Sequence, residues 1–328
     1  MAAGINMWLA VAVMLVIGLL IGVFQGFWIA KVRVPAFIAT LAGMYAFRGF
    51  TNVVLNGMRV DINNAAFLML FGNGKTSYIP DVMRTLLPQL DTTALQENPF
   101  LVQLSGLAAI KNFDLTCFTI VVVGAVAFLV FKLFSILKQK KLGILQSLPA
   151  QLGQMILIPA IVFFIFFKLS CSRGFPMILV WIVLVLSAYG YVTNKTAIGR
   201  HLYAVGGNEK ATALSGVKTR NVYWFAYANT GFMAGLAGIL VAARAKGIDP
   251  VYGEGYEMDA IAACFIGGAS AYGGTGKVSG MIIGAILMGV INKGMAIMGL
   301  DANLQKVVKG IVLLVAVMFD VLTKRKKQ

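Results

Sequence analysis

Titratable chemistry is scarce in this chain: its 328 residues include one histidine, three cysteines and 12 acidic residues. With His201 alone, neither a Ser-His-Asp triad nor an HExxH zinc motif can be assembled, so the sequence reads as that of a non-enzyme. Cys117, Cys171 and Cys264 show no CxxC spacing, which argues against a disulfide framework and against a metal centre. A single Cys117–Cys171 bridge stays open beside the reading of all three as small buried hydrophobes. Two segments imitate a phosphate loop, but Gly74-Lys75-Thr76 follows Met69 where a glycine is needed, and Gly276-Lys277-Val278 follows Ala271 and lacks the hydroxyl. Neither binds ATP on this pattern, and no cofactor is expected.

Charged residues make up only 12% of the chain while hydrophobic ones reach 59%, with a mean hydropathy of +0.84. That balance places most of the chain in lipid. Met1 to Ile29 has no basic leader and precedes Lys31 and Arg33, so it reads as a retained span rather than a cleaved signal. A crossing needs roughly 20 apolar residues, and runs near 8–30, 34–56, 114–136, 151–170, 176–193, 221–243, 259–276, 279–298 and 304–323 predict an all-α, polytopic bundle of about nine spans. The run 259–276 carries Gly267, Gly268, Gly273, Gly274 and Gly276 and is expected to be broken or re-entrant.

Alternating the sides gathers Lys31, Arg33, Lys132, Lys138, Lys140, Lys141, Lys195, Arg200, Lys210, Lys218, Arg220, Lys277 and the Lys324-Arg325-Lys326-Lys327 tail on or near one face, with only Glu209 and Asp320 among the acids. The positive-inside rule makes that face cytoplasmic, the C-terminus included, and residues 57–113 an external insertion. The net charge of +16 therefore reflects loops between spans rather than a soluble basic patch, which argues against nucleic acid. Met1 then falls outside, which suggests spans missing upstream.

Glycines repeat every fourth position at Gly18/Gly22/Gly26, Gly231/Gly235 and Gly280/Gly284, stripes that read as close helix contacts or as a sliding face. Ion coupling asks for carboxylates at mid-membrane depth, whereas Asp259 and Asp320 lie near span ends, the latter one turn before Lys324. Lys306 and Lys309 are expected to snorkel from the last span to headgroups, and Arg48 to anchor the end of the second. The polar stretch 194–220 is the one shaped surface offered to a soluble partner. In it a Gly206-Gly207 turn is followed by Asn208 as N-cap, Glu209 in the first turn, and a short helix that Gly216 ends.

The run Gly199-Arg200-His201-Leu202-Tyr203-Ala204-Val205-Gly206-Gly207-Asn208-Glu209 through Ser215-Gly216-Val217 resembles the cytoplasmic loop of permease subunits of bacterial ABC sugar importers, the ribose, xylose and galactose type. It is similar to that family's Glu-Ala-Ala-x-x-x-Gly coupling element, with Thr212 where alanine is common. Glu257-Met258-Asp259-Ala260-Ile261-Ala262-Ala263-Cys264-Phe265-Ile266-Gly267-Gly268-Ala269-Ser270, continued by Gly273-Gly274-Thr275-Gly276, resembles a second family segment. Val34-Pro35-Ala36-Phe37-Ile38-Ala39-Thr40-Leu41 resembles a third. The long external insertion looks most like the xylose and multiple-sugar branch. The family's upstream Gly-x-Asp-Leu-Ser stretch has no counterpart, so the chain reads as N-terminally short.

The resemblance implies a single permease domain over 1–328 in the bacterial inner membrane, two ABC ATPase subunits, a solute-binding protein, a second permease copy, membrane lipid and a monosaccharide substrate. It implies coupling to the ATPase through Gly206, Gly207, Asn208, Glu209, Ala211, Ser215 and Gly216. The implied translocation pathway runs along Asp259, Ala262, Ala263, Gly267, Gly268, Ser270, Gly273, Gly274 and Gly276. A branched-chain amino-acid-type ABC permease, a truncated non-transporting membrane protein and a stand-alone sugar facilitator are the alternatives.

Overall fold

The computed structural model describes residues 6–72, 118–120, 122–124, 129–130, 164, 167, 176–270 and 273–325. Helix α1 (Met7–Phe27) starts where the Asn6 side chain accepts the Trp8 N–H at 3.1 Å, and a π-helical turn (Trp28–Val32) extends it to Arg33. Arg33 is left-handed, at φ 66°, immediately before Val34-Pro35. The helix stops there because Pro35 cannot continue it, and Pro35 in turn caps α2 (Ala36–Leu55). Strand β1 (Val60–Asp61), α3 (Ala65–Phe71), α4 (Met177–Lys195), α5 (Ala197–Gly207), α6 (Glu209–Leu214), α7 (Thr219–Ala245), β2 (Gly247–Ile248), α8 (Tyr256–Ile266), α9 (Val278–Ile297) and α10 (Ala302–Arg325) follow.

Five described helical segments are long and apolar enough to cross a membrane: Met7–Val32, Ala36–Leu55, Met177–Lys195, Thr219–Ala245 and Val278–Ile297. They match five of the expected spans within a few residues at each end. The run at 304–323 is helical within α10, outside that set. The runs 114–136 and 151–170, the insertion beyond residue 72, and Cys117 and Cys171 lie largely or wholly outside the described residues. The run 259–276 is not one helix: α8 has 11 residues, about 16 Å at 1.5 Å per residue, half of the roughly 30 Å hydrocarbon core. It ends at Gly267, and the chain reaches α9 through left-handed Gly268, Gly273 and Gly274. The glycines break the span as their helix penalty predicts.

The chain divides into two compact units, residues 65–180 and the remainder. In the first, Phe67 and Phe71 of α3 are buried with ring centroids 5.4 Å apart. In the other, α1 and α7 pack along their glycine stripes. A Cβ on Gly22 would lie 2.6 Å from the Tyr227 carbonyl oxygen, and one on Gly18 would lie 2.7 Å from that of Gly231. Trp224 closes the seam by donating its indole N–H to the Val23 carbonyl at 3.2 Å. These stripes are packing surfaces, with no space for a methyl group at Gly18, Gly22 or Gly231, and such close approach is how helices attract each other where lipid removes the hydrophobic drive. Gly231→Leu is expected to cost about 1–3 kcal/mol or more, seen as a lower thermal midpoint in detergent, because the neighbouring atoms are backbone. Gly238→Ala, which meets nothing within 4 Å, should leave it unchanged.

Elsewhere in this unit β1 and β2 pair antiparallel, Val60 with Ile248 and Asp61 with Gly247. Arg59 fastens the ribbon, donating to Asp61, to Tyr252 and to the Ala245 carbonyl at 2.9, 3.2 and 3.1 Å. Helices α8, α9 and α10 form a separate cluster in which Ala262, Ala263 and Met288 are buried against Ile291, Val312 and Leu313.

Candidate functional site

The polar stretch 194–220 is almost wholly helical, which the sequence reading placed only in part. Gly206 and Gly207 form the last turn of α5 rather than a free turn. The reason is tertiary: a Cβ on Gly206 would lie 2.7 Å from the Gly274 amide nitrogen, and Gly273 meets the Gly206 carbonyl from the other side. Two glycine backbones thus replace side chains as the contact surface. One turn earlier, Tyr203 donates its hydroxyl to the Gly276 carbonyl at 2.6 Å. The two segments singled out in sequence, far apart in the chain, therefore meet.

Helix α6 follows without a linker. Asn208 caps it by accepting the Ala211 N–H at 3.0 Å, and left-handed Gly216 (φ 86°) ends it, with Val217 N–H reaching back to the Thr212 carbonyl. Ser215, at the C-cap, donates its hydroxyl to the Ala211 carbonyl at 3.1 Å. Thr212 is the one buried residue of α6, and its hydroxyl donates to the Asn208 carbonyl at 2.8 Å, so threonine takes the usual alanine's place without an orphaned polar group. The carboxylate of Glu209 does more than suit the helix dipole: it accepts from Thr219 and from Tyr223 of α7, both at 3.3 Å. Helix α6 is thereby clasped to the start of α7, while its other face is open. Leu214 is 90% exposed, the largest exposure among the large hydrophobic residues described.

Sequence reasoning missed Tyr203, Leu214 and Tyr223, since nothing in spacing marks a hydrogen bond across 73 residues or an unpartnered leucine. Among the pathway candidates, Gly267, Gly273, Gly274 and Gly276 stand at the end of α8 or on the loop leading to α9. Gly268, left-handed at φ 85°, faces open space. Ser270 donates to Asp320 of α10 at 3.3 Å; the side chain of Lys324, the expected partner, lies outside the described residues. Ala262 and Ala263 are buried in helix packing, and a Cβ on Gly267 would lie 2.6 Å from the Gly280 carbonyl oxygen.

Asp259 lies in the first turn of α8, about 12 Å along the axis from Gly267. It pairs with Lys309 of α10 at 2.9 Å and accepts from Asn292 of α9 at the same distance. Lys309 therefore does not snorkel; it sits 18% exposed against a carboxylate 22% exposed. Lys306 pairs with Glu254 and Arg48 with Glu257, nearer to solvent. Lys309→Met leaves the Asp259 charge uncompensated and is expected to cost about 3–5 kcal/mol. Adding Asp259→Asn should recover most of it, both read from thermal unfolding.

The family described as branched-chain amino acid transport system / permease component matches residues 1–317. The xylose transport system permease protein XylH of Escherichia coli (strain K12) is 34% identical over 321 residues, 97% of this chain and 72% of that protein. XylH of Haemophilus influenzae is 31% identical over 94% of this chain and 73% of its own. The ribose import permease protein RbsC of E. coli is 43% identical over 142 residues, 43% of this chain and 44% of RbsC. No solved structure matches. A polytopic helical chain matched over nearly its whole length by this family and by the two XylH permeases belongs to the permease components of the branched-chain amino acid transport system type.

Proposed function

We propose that this chain is the membrane permease subunit of an ATP-driven importer that carries a monosaccharide, xylose or a close relative, into a bacterial cell. The near full-length likeness to xylose permeases supports the sugar reading over the amino acids in the family's description. Two copies of the chain in the inner membrane, with residues 57–113 outside and 194–220 and the C-terminus in the cytoplasm, form the pathway. ABC ATPase subunits supply the hydrolysis, and a solute-binding protein delivers the sugar. The observation that carries this reading is the exposed face of α6, a short capped helix held rigidly by Glu209 and tipped by Leu214, which suits helix-in-groove docking. ATP and loaded binding protein favour different states of the bundle, and that difference in affinity drives alternation between them.

The segment Asp259 to Gly276 flanks the pathway, its loop presenting backbone polar groups to a hydroxyl-rich solute where irregular backbone lines a cavity. No bond of the solute is made or broken. The test is the complex isolated through a tag on this chain and reconstituted in lipid: its ATP hydrolysis should rise with xylose-loaded binding protein. Stimulation by a leucine-loaded binding protein instead would transfer the chain to amino-acid import.

A further inference from the structure

We propose that α5 is an output arm of the coupling bracket, and that Tyr203 with Gly206 carries movement of α6 directly into the glycine loop between α8 and α9. The inference rests on the importer reading and assigns within it a residue that positions the loop. Helix α6 has two rigid attachments. Glu209 fixes it to α7 through Thr219 and Tyr223. Asn208, which caps α6, also ends α5, so the two helices share one residue and no flexible linker separates them. At that shared end Gly206 and Gly207 lie backbone to backbone on Gly273 and Gly274, and Gly206, Gly273 and Gly274 have no room for a side chain.

Such a contact transmits displacement, because closely packed backbones have no soft side chains to absorb it. The Tyr203 hydroxyl adds a directional link, since the 2.6 Å bond to the Gly276 carbonyl ties the loop's last glycine to α5 in tension as well as in compression. Left-handed Gly268, Gly273 and Gly274 are the torsions such a loop can turn about. At its other side Ser270 is held by Asp320, so the loop is gripped by α5 and α10 and feeds α9, which Gly280 and Gly284 pack against α8. Movement of α6 thus reaches the segment flanking the pathway by a short route independent of the α1–α7 seam.

Tyr203→Phe removes one oxygen and little volume. In the reconstituted complex it should leave assembly, thermal midpoint and ATP hydrolysis without binding protein near wild type, while sugar taken up per ATP hydrolysed falls about fivefold or more, the lower end of coupling between distant sites. Wild-type uptake per ATP would overturn the inference. A second measurement covers a variant that assembles poorly. In a background with Cys117, Cys171 and Cys264 replaced by Ala, Thr275→Cys on the exposed part of the loop should change its maleimide labelling rate when ATP and loaded binding protein are added. Tyr203→Phe should abolish that change. A labelling rate indifferent to ATP in the presence of Tyr203 would also overturn the inference. If the complex with the unaltered chain neither hydrolyses ATP in response to a sugar-loaded partner nor takes up sugar, the importer reading itself fails.

Discussion

Leu214→Asp should weaken binding of the ATPase subunit about a hundredfold or more, reducing its recovery with the tagged permease to a trace. The magnitude follows from what the residue offers: burying a leucine is worth about 1.5–3 kcal/mol, and a carboxylate carried into the same groove adds a desolvation cost. A central apolar anchor ringed by small neutral contacts is where binding energy concentrates. Of the six residues of α6 only Thr212 is buried, so the change leaves the permease's own fold intact. Leu214→Ile should retain binding. An Asp variant that holds the ATPase at wild-type affinity would show that the docking surface lies elsewhere.

Gly274→Leu should abolish uptake. The residue is left-handed, at φ 72°, and a Cβ there would lie 2.8 Å from the Gly207 Cα, so backbone strain and collision act together. Gly268→Ala separates the two effects: it is equally left-handed but faces open space, so it carries strain of about 1–2 kcal/mol without displacing α5. A graded loss, mild at Gly268 and complete at Gly274, is the expected pattern, with Gly267→Leu joining the complete class through Gly280. Full uptake by the Gly274 and Gly267 variants, with the ATPase bound, would remove this segment from the pathway.

Local chemistry made much of this legible in sequence. Asn208, Glu209 and Gly216 announce the start and stop of α6 because capping depends on neighbours a few residues away. The glycine stripes announce helix seams because only close backbone approach calls for them every fourth residue. The break after Ile266 follows from helix propensity alone. Contacts distant in the chain were hidden. Gly206-Gly207 reads as a turn until the loop of Gly273 and Gly274 is laid against it, and then the pair is seen to extend α5. Lys309 reads as a headgroup anchor until α8 brings Asp259 beside it. Asp320 reads as a charge at the end of its span, and the hydrogen bond from Ser270, 50 residues away, has no signal in the spacing.

The central claim is that this chain shapes a passage while a partner supplies the work. The direct measurement is accumulation of labelled xylose in liposomes, with this chain alone and with the ATPase subunits and the loaded binding protein added. Concentration above the external level only in the complete, ATP-fed assembly is the predicted result. Accumulation against a gradient by this chain alone, without nucleotide, would contradict it.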